Sequence, residues 1–263
     1  MRRRRHPELE RRRVVAGTHP VDVRGTFDPA RPPVVLVHGV GMSSHYFLRF
    51  AGALAATHDV YALDLPGYGT APRPSRPLTV PELGHVVAEA VGALGLADPV
   101  VVGHSMGCQV VVDAVKDHPG LWAGYVLVGP TVDPSARSLL GQGWRLLRDS
   151  LREPARTNAV VVLDYLRMGP IRYLRTARYM LRDRIEHDIR GCTPPGLVVR
   201  GSRDPIAQRD WARSLVRAAP DARLLEIPGA PHNVQHTDPQ ELAAACAPFF
   251  DTCRPGSRPG GPE

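Results

Sequence analysis

The stretch Val100-Val-Val-Gly-His-Ser-Met-Gly107 decides how the rest of the chain is read. Three β-branched residues in a row, without alternation, predict a strand buried on both faces. From Met106 to about residue 118 the apolar residues recur at three- and four-residue spacing, which predicts a helix. The Gly-x-Ser-x-Gly pattern therefore sits on a strand-to-helix turn, the context that gives it chemical meaning. So sharp a turn strains its central residue and needs flanking glycines, because a Cβ there would collide with neighbouring elements. Ser105 is then held out above the sheet. Met106 presents a backbone N–H at the start of a helix, where the dipole favours a developing oxyanion.

On either side of this turn, short β-branched runs alternate with helical patterns. Val34–Val37, Val60–Leu63, Val100–Val102, Tyr125–Val128, Leu197–Val199 and Leu224–Ile227 read as strands. Residues 44–57, 80–95, 106–118, 208–218 and 238–250 read as helices. Val14-Val15 and Val21–Val23 add a candidate antiparallel pair at the N-terminus. The expectation is an α/β fold with a mostly parallel central sheet and helices on both faces. One interval breaks the rhythm, since about 70 residues separate Val128 from Leu197, far more than a crossover requires. Within it Ile171, Leu174, Leu181, Ile185 and Ile189 fall on one face of a single helix, with arginines on the other. A small helical cap inserted between two strands is expected.

The expected organisation is a basic disordered arm over 1–13, core over 14–130, a helical cap over 131–193, core again over 194–252, and a disordered tail over 253–263. The 263 residues carry a net charge of +7, which raises the possibility of a nucleic-acid partner. Residues 1–13 hold seven Arg and two Glu, and residues 131–193 hold twelve Arg and seven acids, so each is +5 and the remainder is about −3. With Lys116 the one lysine, few aromatics and no reader motif, nucleic acid is not an expected partner. Nor is a membrane, because no run approaches the roughly 20 apolar residues of a spanning helix. The N-terminal arginines lack the apolar stretch of a signal peptide, and Cys108, Cys192, Cys246 and Cys253 lack metal-ligand spacing. A soluble protein of the reducing cytoplasm is expected, without metal or cofactor; Gly39-Val-Gly41 lacks the third glycine of a dinucleotide fingerprint.

Five motifs in order, Val35-Leu-Val-His-Gly39, Asp64-Leu-Pro-Gly-Tyr-Gly69, Val102-Gly-His-Ser-Met-Gly107, Arg200-Gly-Ser-Arg-Asp-Pro205 and Pro228-Gly-Ala-Pro-His232, resemble the α/β-hydrolase superfamily from about Val34 to Phe250. The resemblance implies that the Val40 and Met106 amides form an oxyanion hole, that His232 is the base and that Asp204 orients it. Elementary chemistry asks for the same parts. A serine hydroxyl is a poor nucleophile until an imidazole takes its proton, and the imidazole needs a carboxylate to fix its tautomer. His232 lies just past the last strand and Asp204 just past the one before, at the carboxyl ends where open parallel sheets assemble their sites.

Alternatives remain at this stage. Asp133 follows the preceding strand, where some family members carry the acid; Gly-Ser-Arg-Asp-Pro, the commoner pattern, favours Asp204. His236 is a rival base, His38 and His104 read as supporting hydrogen-bonders, and Cys108 reads as packed core. A serine rather than an aspartate at 105 excludes the dehalogenase and epoxide-hydrolase chemistries of this fold. The expected activity is cleavage of a carboxylic ester, lactone or related acyl bond through an acyl-enzyme. Thioester hydrolysis, or C–C bond cleavage of the kind carried out by relatives that often have Asn at the place of His104, is the alternative. The expected partner is a small-molecule substrate, anionic or carrier-bound if the cap arginines face it.

Overall fold

The computed structural model describes residues 9–138, 141 and 168–254. Its eight strands are β1 (Glu10–Ala16), β2 (His19–Gly25), β3 (Pro33–Val37), β4 (Asp59–Asp64), β5 (Val100–His104), β6 (Gly124–Val128), β7 (Gly196–Gly201) and β8 (Ala222–Ile227). They form one sheet in the order β1-β2-β4-β3-β5-β6-β7-β8. β1 and β2 pair antiparallel, β2 joins β4 antiparallel, and every later pairing is parallel. The helices are α1 (Leu48–Leu54), α2 (Val80–Leu94), α3 (Met106–Asp117), α4 (Pro170–Arg182), α5 (Ile185–Asp188), α6 (Arg209–Ala218), α7 (Val234–Thr237) and α8 (Pro239–Thr252).

The two-residue period of a strand divides each apolar run between two cores. Val35, Val37, Val101, Tyr125 and Leu127 belong to the layer filled by α2, α3 and α6. Val34, Leu36, Val100, Val102, Val126 and Val128 belong to the layer under Phe50 of α1 and Leu242 and Phe250 of α8. Runs without alternation are thus what a sheet covered on both faces requires. Truncating a fully buried side chain such as Phe50 to alanine costs about 3–5 kcal/mol. α2 is delimited by a Thr79/Glu82 capping box and by Gly95 in the left-handed region.

Three sequence boundaries need correction. β1 begins at Glu10, so Glu10–Arg13 are strand and not arm. This edge strand is exposed along most of its length and gives no alternation signal. Cross-strand contacts hold it instead: Arg13 pairs with Asp22 of β2, and the Arg12 guanidinium lies 3.8 Å over the Phe27 ring. Cys253 is buried in the core and does not belong to a tail. The long apolar face expected over Ile171–Ile189 is not one helix. α4 stops at Arg182, where Asp183 turns extended, and α5 starts afresh at Ile185. Ile171 and Leu174 are 70% and 49% exposed, while Thr176, Ala177 and Met180 are the buried side of α4. The rest of the expected cap (139, 140 and 142–167), of the arm (1–8) and of the tail (255–263) lies outside the described residues.

The break at Asp183 is held by α3. Gln109 Nε2 donates to the Met180 carbonyl at 2.9 Å and to Asp183 Oδ2 at 2.6 Å. Lys116 Nζ bridges Asp113 and Asp188 at 2.9 and 3.0 Å, and Arg137 pairs with Glu186. Burial, followed by the nearby charge of Asp113, pushes the Asp183 carboxyl up to about 7. The chain returning from the insertion is thereby fastened to the helix that starts beside Ser105. No helix among the described residues is long and apolar enough to cross a membrane. The four cysteines are buried, with no disulfide between them.

Candidate active site

Ser105 joins β5 to α3 with φ 57° and ψ −120°, a conformation that costs a non-glycine residue about 1–3 kcal/mol. Its N–H continues the ladder of β6 by donating to Val128 O at 3.0 Å, and its carbonyl accepts from Cys108 N at 3.0 Å. The glycines on either side are sterically required. A Cβ on Gly103 would strike the main chain of Gly107, and one on Gly107 would strike the carbonyls of Val37 and His38. Helix α3 therefore folds back tightly over β5 and β3, leaving Ser105 half-buried at the apex of the turn. Cys108 sits beneath it, its thiol donating to the Gly103 and Val128 carbonyls, and burial raises that thiol well above its ordinary range. It is packed core, as the sequence indicated.

The loop after β3 runs beside the serine. A Cβ on Gly39 would come to 3.0 Å from Ser105 Cβ, so a side chain here would push the serine by a few tenths of an ångström. His38 Nε2 accepts from Leu65 N at 3.3 Å, which puts the ring hydrogen on Nδ1, and Nδ1 donates to Gly39 O at 2.9 Å. In a planar trans peptide the C=O and the following N–H point in opposite directions. Holding the Gly39 carbonyl consequently fixes the direction of the Val40 N–H. Met106 is the first residue of α3, where N–H groups lack intrahelical acceptors.

After β7, Asp204 is buried, with Oδ1 accepting from Ile206 N at 2.7 Å and Ala207 N at 2.9 Å. His232, after β8, donates from Nδ1 to Asp204 Oδ2 at 2.8 Å. Burial alone would raise the Asp204 carboxyl. The charge and hydrogen bond of His232, with the two amides, outweigh it and hold the carboxyl below the usual range. Nε2 is left as the basic nitrogen of His232. Asp133, the rival acid, instead caps a short 3-10 turn by accepting from Ser135 N at 2.9 Å. His236, the rival base, lies in α7, stacked on Tyr46 with ring centroids 4.9 Å apart.

One residue escaped the sequence reading. Gly129, immediately after β6, has φ +59°, and a Cβ there would lie 2.9 Å from both Nδ1 and Cε1 of His232 and 3.4 Å from Asp204 Oδ2. It is the floor under the His–Asp pair. A glycine closing a β-branched strand was the available signal, but such glycines usually only end a strand. Among the described residues one grouping of metal-ligating side chains occurs, Asp113, Asp183 and Asp188, with carboxylate oxygens within 4.8 Å of one another. Lys116 already bonds two of them, so its ammonium acts as their cation.

Residues 34–245 match the model of the alpha/beta hydrolase family, and the chain belongs to that family. One relative is the dihydrolipoyllysine-residue acetyltransferase component of an acetoin cleaving system from Pseudomonas putida, 30% identical over 77% of this chain. The chain spans 59% of that relative's length. The 2-(acetamidomethylene)succinate hydrolase of Mesorhizobium japonicum is 24% identical over 91% of this chain and 95% of its own. A malate-bound thermophilic esterase from Thermogutta terrifontis shares the fold, with a TM-score of 0.79 and 19% identity over 93% of this chain and 99% of its own.

Proposed function

We propose that the chain is a serine hydrolase that cleaves a carboxylic ester, lactone or related acyl bond. The His232–Asp204 pair, bonded at 2.8 Å on the same sheet edge as a strained serine elbow, is the observation that carries this reading. Ser105 Oγ attacks the acyl carbon while His232 Nε2 takes its proton, and Asp204 stabilises the imidazolium that forms. The carbonyl oxygen, now anionic, is received by the Val40 and Met106 N–H groups. Collapse expels the alcohol, protonated by His232, and leaves an acyl-serine. Water, activated by the same imidazole, releases the acid and restores Ser105. The C–C reading uses the same residues but is disfavoured at His104, where those enzymes often carry Asn.

The substrate is a small molecule bearing a carboxylate, or one bound to an acidic carrier. α4 carries Arg172, Arg175, Arg178 and Arg182 and no acid, and its N-terminal end borders a groove of about 320 Å³ that Arg73 also lines. A relative that hydrolyses a substituted succinate fits such a preference. The reading is tested with p-nitrophenyl acetate and its hemisuccinate analogue on the wild-type chain and Ser105→Ala. Both esters should turn over in the wild type alone. Only the anionic ester should lose kcat/KM as ionic strength rises from about 0.02 to 0.3 M. Hydrolysis by Ser105→Ala would overturn the mechanism, and equal salt response would overturn the substrate class.

A further inference from the structure

His104 closes β5, and the next residue along the chain is Ser105. Its side chain is 2% exposed and reaches across the sheet edge to the main chain of His232, with Nε2 3.3 Å from the His232 carbonyl oxygen. A carbonyl only accepts, so Nε2 carries the ring hydrogen and Nδ1 is a bare lone pair; that Nδ1 is buried without a hydrogen-bond partner. The ring packs against His232, with centroids 4.9 Å apart at 48°. Tyr46, itself stacked on His236, lies with its centroid 6.0 Å from that of His104. Burial first, then the neighbouring His232 and His38, drives the His104 imidazole well below its ordinary range. Burial and the unpartnered Nδ1 both favour the neutral ring. Neutrality matters because a second imidazolium beside His232 would oppose the charge that His232 acquires in the reaction.

The Asp204 bond fixes only the imidazole of His232, leaving the backbone that carries it to be held by other contacts. His104 supplies one of them, and it does so from the residue covalently joined to Ser105. We propose that His104 is a positioning residue, a neutral Nε2–H donor that ties the main chain of His232 to the strand end bearing Ser105 and so sets the separation of nucleophile and base. This rests on the assignment of Ser105 and His232 to those roles. A bond of 3.3 Å is at the long end for N–H···O, and catalytic hydrogen bonds in unliganded sites often tighten in the reacting complex.

The test uses the full chain with His104→Phe, which keeps an aromatic ring and loses the donor, and His104→Gln, whose side-chain amide N–H can stand where the imidazole Nε2–H stood. His104→Phe should lose about 10- to 100-fold in kcat with KM unchanged, since displacement near 1 Å costs that much. The pH at which its kcat/KM reaches half-maximum should also move. His104→Gln should recover most of the loss. A merely structural role would lower Tm in both variants and leave kcat per folded site and the pH profile as in the wild type, which would overturn the proposal. Nitrogen NMR of the ¹⁵N-histidine-labelled wild type gives a readout that depends on neither variant folding nor turnover. His104 should remain the neutral Nε2–H tautomer from about pH 5 to 8, and a ring that titrates there, or that carries hydrogen on Nδ1, would overturn it. The two ideas thus fail separately: activity in Ser105→Ala defeats the triad, and the wrong His104 tautomer defeats the tether.

Discussion

Gly129→Ala displaces His232, the proposed base, without replacing any group of the proposed triad. At φ +59° an alanine pays about 1–2 kcal/mol for the left-handed conformation, which for a chain of this size lowers Tm by about 2–8 °C. The new methyl would stand 2.9 Å from Nδ1 and Cε1 of His232, where ordinary contact begins near 3.4 Å, so the ring must retreat by about 0.5 Å. The ring is buried and bonded to Asp204, and a retreat of this size stretches that bond. Misplacement by 1 Å costs about 10²-fold, so half of it costs about 10-fold in kcat. The assay pairs kcat and KM on p-nitrophenyl acetate with calorimetric Tm. A lower Tm with kcat within about twofold of wild type would show that His232 has room to move and that Gly129 serves only the backbone.

Other perturbations separate the roles of the remaining residues. Ser105→Ala and His232→Ala should each lose about 10³-fold or more in kcat, because members of a triad act as a unit. Asp204→Asn should lose nearly as much by leaving His232 Nδ1 without its carboxylate, whereas Asp133→Asn should retain activity; the reverse order in a steady-state assay would exchange the two acids. Asp183 holds its proton up to about pH 7 when folded and only to about 3.9 when unfolded, so the folded state binds the extra proton between those values. Its stabilising effect should be complete below about pH 4 and lost as pH rises through 7. Urea midpoints measured from pH 5.5 to 8.5 should fall across that window in the wild type and less in Asp183→Asn; parallel curves would contradict this. Deleting residues 1–13 should lower Tm, because it removes Glu10–Arg13 from β1 and the Arg13–Asp22 pair with them. An unchanged Tm would show that the edge strand contributes nothing.

The sheet was legible because a strand covered on both faces has little choice but a continuous apolar run, as at Val100–Val102 and Tyr125–Val128. Asp204 and His232 were legible because each follows a strand at the same sheet edge, and the structure brings them to 2.8 Å. Val14-Val15 read correctly as a strand pairing with β2, but Glu10–Arg13 read as arm because their arginines are held by Asp22 and Phe27, partners that local pattern does not reveal. The helix over Ile171–Ile189 was overextended for a similar reason. Apolar spacing continues past Asp183, but Gln109 and Arg137 bond the chain exactly where it departs from helix. Gly129 was invisible because its need for a bare Cα arises from His232, 103 positions later.

The role of Ser105 as nucleophile is tested most directly by trapping the acyl-enzyme. The wild-type chain is mixed with p-nitrophenyl acetate, the burst of nitrophenol is followed by stopped flow, and the quenched protein is digested for mass spectrometry. The burst should approach one equivalent per chain, with the acetyl group on the peptide containing Ser105, and both should vanish in Ser105→Ala. An acetyl group on another residue, or an undiminished burst in Ser105→Ala, would contradict the assignment.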